Sequence, residues 1–235
     1  MEIIIISSAI LMSTALNFLF QREFIKKNIL DKINNRSSHQ SLATRSGGSS
    51  VFASLFFISI FFYFNNNEIY DFSLLIPVAI MLCVGLYDDI YKLDFKLKFI
   101  FQIIVAKIII DNGLIIDNLH GIFGVFELSR IIGQLFTIFI IVAIINSINF
   151  IDGVDGLAVS VITLFLLSFE LFSSTSSDMF FLTLIILGSL TPLYFFNFRK
   201  KNKVFLGDSG SLFLGTVVSI YVLKILSQDY SIKPE

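Results

Sequence analysis

Charge is what this chain has least of. Asp, Glu, Lys and Arg make up 15% of its 235 residues, where a soluble domain carries about a quarter. With a net charge of −1 at pH 7 there is no basic excess, and nucleic acid is not an expected partner. Cysteine is down to one, Cys83, inside an apolar run, so no intrachain disulfide exists and the redox compartment is undetermined. The only histidines are His39 and His120, which leaves no histidine cluster. Tandem repeats and low-complexity linkers are absent, and no polar stretch is long enough to fold alone. The first apolar run lacks a basic start (Met1-Glu2-Ile3) and a clear small-residue cleavage site, so it does not read as a removable signal peptide.

What remains is apolar: 55% of the residues are hydrophobic and 28 are Phe. Runs of about 15 to 20 such residues recur along the chain, the length a helix needs to cross a bilayer. They predict an all-α polytopic membrane protein with about eight transmembrane helices, near 3–20, 49–64, 73–87, 96–110, 130–148, 157–172, 179–197 and 211–227. Residues 1–235 read as one integral membrane domain. Basic residues favour the cytoplasmic side. Placing the first loop inside puts thirteen of the 17 Lys and Arg there and leaves Lys107, Arg130, Lys224 and Lys233 opposite. The N-terminus is then outside. Residues 114–128, around Asn118 and His120-Gly121, allow a small outer hairpin between spans four and five. Lys107 and Asp111, four apart on a helix, can pair.

Against this background the acidic residues stand out, because carboxylates at a membrane edge lose solvation and repel one another. A divalent cation and an anionic substrate would offset that. Asp88-Asp89 closes the third span, where the helix C-terminus carries negative partial charge; a solvated helix end with local ion pairs to Lys92, Lys96 and Lys98 is the plainer reading. Asn146, Asn149, Asp152 and Asp155 follow at intervals of three. Helical, they would share a face, but Gly153 and Gly156 suggest a broken turn between spans five and six that exposes backbone N–H groups. Gly207-Asp208-Ser209-Gly210-Ser211 opens the eighth span, with Asp or Ser expected as N-cap and N–H groups open to phosphate. It follows the basic run Arg199 to Lys203, which could equally be a topology signal or a lipid-headgroup contact. Arg36-Ser37-Ser38-His39 and Thr44-Arg45-Ser46-Gly47-Gly48 lie in the first polar loop. Arg suits bidentate phosphate contacts, and His39 could titrate near neutral pH.

In this order, these motifs resemble the polyprenyl-phosphate N-acetylhexosamine-1-phosphate transferases, glycosyl transferase family 4, over about Asp31 to Gly215. Arg36 to His39 with Arg45 to Gly48, Asp88-Asp89 with Lys98 and Gln102, Asn146 to Ala158, and Gly207 to Ser211 carry the resemblance. It implies transfer of a sugar-1-phosphate from a UDP-N-acetylhexosamine to polyprenyl (undecaprenyl) phosphate with release of UMP. The setting would be the cytoplasmic face of a bacterial inner membrane, at the start of a cell-wall or lipopolysaccharide O-antigen polysaccharide. The family pattern makes Asp88 and Asp208 ligands of Mg2+. Asp89 would orient the lipid phosphate, and Asn149 and Asp152 would line the metal and pyrophosphate region. Gly153 and Asp155 would read the uracil edge with Phe205 stacked on the ring. His39, Arg45 and Lys98 would hold phosphate oxygens, and Asn146 and Asn197 complete the substrate contacts.

Three departures are visible. Ala43-Thr44-Arg45 stands where the family has Thr-Pro-Arg, the basic run replaces a Pro-Ala before Asp208, and the family's last spans with a His-rich cytoplasmic loop are expected to be missing. An inactive truncated homologue, or a partner subunit, is therefore one alternative, and a homodimer another form the chain could take. A small membrane transporter is a third reading, although transporters set their ionisable residues nearer the bilayer midplane.

Overall fold

The computed structural model describes residues 1–30, 43–172, 179–199 and 201–227. Within them run α1 (Glu2–Lys26), α2 (Gly47–Phe64), α3 (Leu75–Tyr91), α4 (Phe95–Asp111), α5 (Arg130–Ile151), α6 (Leu157–Phe172), α7 (Phe180–Asn197) and α8 (Gly207–Leu226). Two short strands, β1 (Ala43–Thr44) and β2 (Lys203–Val204), pair in parallel. By length and composition α1, α2, α5, α7, α8 and the stretch Phe72–Tyr91 can each cross a membrane. The helix α6 is apolar but shorter, and α4 carries Lys96, Lys98, Lys107 and Asp111 in 17 residues. The chain is an all-α, multi-pass membrane protein.

The eight expected apolar runs each became a helix, but several helices outlast their runs. At one end of the bundle α1 continues to Lys26, α3 to Tyr91 and α5 to Ile151, and α8 begins at Gly207 rather than 211. Hydropathy ends where polar residues begin, yet these polar residues have partners that keep the helix going: Gln21 Nε2 donates to the Asn202 carbonyl at 2.6 Å.

The central helix is α8, buried along most of its length and packed on α3, α5, α2 and α6. Close approach here needs small residues. A Cβ on Gly85 of α3 would lie 2.4 Å from the Asp208 carbonyl oxygen, and one on Gly48 of α2 would lie 2.2 Å from the Gly210 nitrogen. Buried hydroxyls return to their own helix, as Ser54 to Ser50, Ser59 to Leu55 and Thr216 to Leu212 do, which satisfies them where water is absent. Outside α8, α1 packs on α7 and α2, and α4 on α5 and α3.

The expected hairpin between α4 and α5 is present. Asn118 and Glu127 form an antiparallel bridge, supported by Leu119 N–H donating to the Phe126 carbonyl at 2.7 Å. The Lys107–Asp111 ion pair also forms. At the other end of the bundle, β1 and β2 knit the start of α2 to the start of α8. Gly47 and Gly48 N–H groups donate to the Phe205 and Leu206 carbonyls at 3.0 and 2.8 Å. That knot sets where the acidic residues meet.

Candidate active site

Four aspartates converge where helix ends of opposite polarity come together. Asp88 and Asp89 sit in the last turn of α3, Asp152 caps the C-terminus of α5, and Asp208 lies in the first turn of α8. A C-terminal turn disfavours carboxylates and an N-terminal turn welcomes them. The contact between α3 and α8 resolves this conflict. Asp89, its side chain fully buried, accepts the Asp208 N–H at Oδ1 (3.0 Å) and the Ser209 N–H at Oδ2 (2.9 Å). The charge disfavoured at the end of α3 thereby caps α8.

This corrects one expectation and bears on a second residue. The N-cap position of α8 is Leu206, without a side-chain cap, because the cap comes from a carboxylate 119 residues earlier in the chain. Asp89, expected to orient a substrate phosphate, has both oxygens engaged by backbone. Asp89→Asn is therefore expected to leave one N–H of α8 without an acceptor and to lower stability by about 1–3 kcal/mol. Thermal unfolding in detergent reads this; an unchanged melting temperature would count against the cap.

Asp88 and Asp208 lie on either side of one ammonium group. Lys98, in the first turn of α4, bridges them with Nζ 2.5 Å from Asp88 Oδ2 and 3.6 Å from Asp208 Oδ1. Asp88 Oδ1 also accepts the Leu93 N–H at 2.6 Å, which folds the chain back between α3 and α4. From the other side Arg45 Nη1 stands 3.4 Å from Asp208 Oδ2 and 3.7 Å from Asp89 Oδ1. Asn149 Nδ2 donates to Asp208 Oδ1 (2.6 Å) and to Ser211 Oγ (2.8 Å).

The fourth acid, Asp152, feels both its burial and its acidic neighbours. Burial raises the Asp152 carboxyl well above the usual carboxylate range. The negative charges of Asp208 and Asp89 push it the same way, against Arg45 and a backbone hydrogen bond from Gly207. Beside the cluster opens a cavity of about 830 Å³ lined by Arg45, Asp88, Asp89, Tyr91, Lys92 and Lys27, among others.

The other expected contacts are spread more widely. Asn146 and Asn149 lie on helical α5, whereas Asp152 to Gly156 form the broken turn, with Gly156 at φ +72°. The broken turn expected between spans five and six is therefore present, and the two asparagines before it are helical. Asp155 pairs with Lys203, whose ammonium sits 5.8 Å from the centre of the Phe205 ring, so these three form one unit beside the acids. Gly153 is exposed on the turn. Asn197 is buried, 3% exposed, and donates to the Val204 carbonyl at 3.2 Å, holding β2. Asn146 exchanges hydrogen bonds with Gln102. His39, with Arg36, lies outside the described residues. The pairing of Lys203 with Asp155 escaped the sequence reading, and Ser211, read there only as part of the 207–211 motif, takes a hydrogen bond from Asn149.

Comparisons with known proteins agree on one family. Glycosyl transferase family 4 matches residues 71–226. A "Probable undecaprenyl-phosphate N-acetylglucosaminyl 1-phosphate transferase" from Bacillus subtilis is 33% identical over 212 residues, covering 87% of this chain and 58% of that protein. An "Undecaprenyl-phosphate alpha-N-acetylglucosaminyl 1-phosphate transferase" from Pasteurella multocida is 34% identical over 231 residues, 93% of this chain and 64% of that protein. One of the same description from Salmonella typhi is 29% identical over 238 residues, 97% and 64% respectively. The chain thus spans about three fifths of the length of these relatives.

Proposed function

The chain belongs to glycosyl transferase family 4, and from that premise we propose that it transfers N-acetylhexosamine-1-phosphate from a UDP-sugar to a polyprenyl phosphate. A phosphate oxygen of the lipid attacks the sugar-bearing phosphorus, the bond from that phosphorus to the bridging oxygen breaks, and UMP leaves. The observation that carries this reading is the facing pair Asp88 and Asp208, flanked by Lys98 and Arg45, at the edge of the 830 Å³ cavity. Phosphoryl transfer is catalysed mainly by positioning and by neutralising charge, and this cluster supplies both.

The residues fit Mg2+. The donors are all oxygens, and Asp88 and Asp208 both lie within 3.6 Å of the Lys98 ammonium, so that a cation between them would relieve their mutual repulsion. Among the described residues no three His, Cys, Asp or Glu side chains form a ready metal cage. That suits Mg2+, which one or two carboxylates hold together with substrate phosphates. When bound it would neutralise charge on the pyrophosphate. Lys98 and Arg45, now held by the carboxylates, would then take phosphate oxygens. Asn149 keeps Asp208 oriented. The lipid phosphate needs no protein base, since with a second pKa of about 6 it is mostly dianionic at neutral pH. Asp155, Lys203 and Phe205 form a surface on which the uracil would lie. The basic residues near this end of the bundle support a setting at the cytoplasmic face of a bacterial inner membrane, where the product would begin a cell-surface polysaccharide.

UMP release tests this, using purified chain in nanodiscs with undecaprenyl phosphate, Mg2+ and a panel of UDP-N-acetylhexosamines. Release that needs lipid and metal supports the proposal. None from folded protein would mean that this chain alone does not perform the reaction, as a partner subunit or inactive homologue would not.

A further inference from the structure

The helix that carries Lys98 has few restraints of its own. On α4 the buried positions are Gln102, Val105, Ala106, Ile109 and Ile110, while Phe95, Leu97, Phe99, Ile100, Ile103 and Ile104 are exposed. Apolar contacts of this kind are non-directional and tolerate sliding. Gln102 is different: 1% exposed, it is the only polar side chain on the buried face. Its Nε2 donates to Asn146 Oδ1 at 3.2 Å, and its Oε1 accepts from Asn146 Nδ2 at 2.8 Å. Two antiparallel bonds between planar amides fix both distance and rotation, and a single buried polar contact can set the register of two helices. Asn146 is itself anchored, since Nδ2 also donates to the Val142 carbonyl at 2.8 Å.

The geometry then points toward the acids. Lys98 precedes Gln102 by four residues on α4, and Asn149 follows Asn146 by three on the antiparallel α5. At about 1.5 Å of rise per residue, both lie roughly one turn from the amide pair toward the same end of the bundle. Both also end on Asp208 Oδ1, Asn149 at 2.6 Å and Lys98 at 3.6 Å. A slip of α4 by even a fraction of a turn would withdraw Lys98 while leaving Asn149 in place.

We propose that Gln102 and Asn146 are positioning residues: their reciprocal amide pair sets the register of α4 on α5, and so holds Lys98 against Asp88 and Asp208. Asn146 on this account acts through Gln102 rather than on the substrate, its role in the family resemblance notwithstanding. The kinetic arm of the test rests on the function proposed above; a second arm does not.

That second arm is acylation of Lys98 by a succinimidyl ester in the detergent-purified chain, followed by mass spectrometry, with Lys107 of the same helix as internal reference. Lys98 acylation is expected to rise about fivefold relative to Lys107 in Gln102→Ala and in Asn146→Ala, and no further in the double variant. Exchanging the two residues (Gln102→Asn with Asn146→Gln) should restore it towards wild type. In the kinetic arm turnover should fall about tenfold or more in each single variant, with KM for the UDP-sugar within about twofold. Wild-type Lys98 reactivity in Gln102→Ala would overturn the proposal. So would a raised donor KM in Asn146→Ala with Gln102→Ala silent, the pattern of a direct substrate contact. Absence of turnover in wild type would remove the proposed function and leave the labelling arm decisive. Should the alanine variants fail to fold, Gln102→Asn keeps the amide, shortens its reach by one methylene and carries the same readouts.

Discussion

Asp208→Asn is expected to abolish the proposed turnover, lowering UMP release on the order of a thousandfold, while the protein still inserts and folds. The size follows from how much converges on one carboxylate. Lys98 and Arg45 reach it from α4 and from the start of α2, Asn149 orients Oδ1, and Asp88 faces it. Converting it to an amide removes one negative charge from the position where a cation would be held. It also presents an NH2 to Lys98 or to the Asn149 amide, donor against donor. Loss of one well-placed electrostatic group in a dry site costs about a hundred- to a thousandfold, and here the loss of the cation would be added. The fold should survive because the backbone N–H of residue 208, not its side chain, receives the Asp89 cap. Measured turnover near wild type in Asp208→Asn would remove the metal assignment. A collapsed, unfolded variant would instead mean that the side chain supports the knot between α2 and α8.

Asp88→Asn should behave alike but less severely. Its carboxylate shares Lys98 with Asp208, and an asparagine oxygen can still accept the Leu93 N–H that turns the chain into α4. UMP release by the two variants, compared at saturating Mg2+ and at limiting Mg2+, should separate them: Asp88→Asn recovers in part as the metal is raised, and Asp208→Asn does not. Equal, metal-independent losses would contradict the shared-cation picture.

The fold and the site differ in how far the sequence reveals them. Apolar runs separated by polar loops disclose helices almost one for one, because each residue facing lipid must be apolar whatever its neighbours are. The helix ends are another matter. Hydropathy places the start of α8 near 211, since Gly207, Asp208 and Ser209 are polar or small. The helix nevertheless begins at Gly207 because Asp89, far away in sequence, supplies its cap. No local pattern encodes a cap delivered from α3. The residue types of the site were legible in the same limited sense. Five Asp at span ends announce a shared electrostatic purpose, and their order supports a family resemblance. Which carboxylate faces open space and which is consumed by backbone depends on rotation about α3. Adjacent positions point about 100° apart, and only packing against α8 decides that Asp88 meets Lys98 while Asp89 turns inward. Lys203 likewise looked like part of a topology signal in the run from Arg199, and its pairing with Asp155 depends on the β1–β2 knot.

That knot and the crossing beneath it carry the second large effect, one that touches no catalytic group. Gly48→Ala should loosen the site end of the bundle. A Cβ at position 48 would lie 2.2 Å from the Gly210 nitrogen, 2.3 Å from its Cα and 2.8 Å from the Ser209 carbonyl carbon. All three are backbone atoms of a buried helix, so no side chain can swing away and α2 itself must retreat from α8. Overpacking of this kind costs about 1–3 kcal/mol, and the retreat also strains the Gly48 N–H bond to the Leu206 carbonyl. In a chain of this length the melting temperature should fall on the order of 5 °C. Turnover should fall further than stability alone explains, because Arg45 precedes the crossing by three residues and Asp208 by two, and both would move with it. The neighbouring substitution Ser49→Ala supplies the contrast: it removes a buried hydroxyl that has no hydrogen-bond partner among the described residues, and should leave the melting temperature unchanged or slightly raised. If Gly48→Ala melted with wild type, the tight crossing would not be what holds Asp208 beside Arg45, and the burden would pass to the β1–β2 pairing alone.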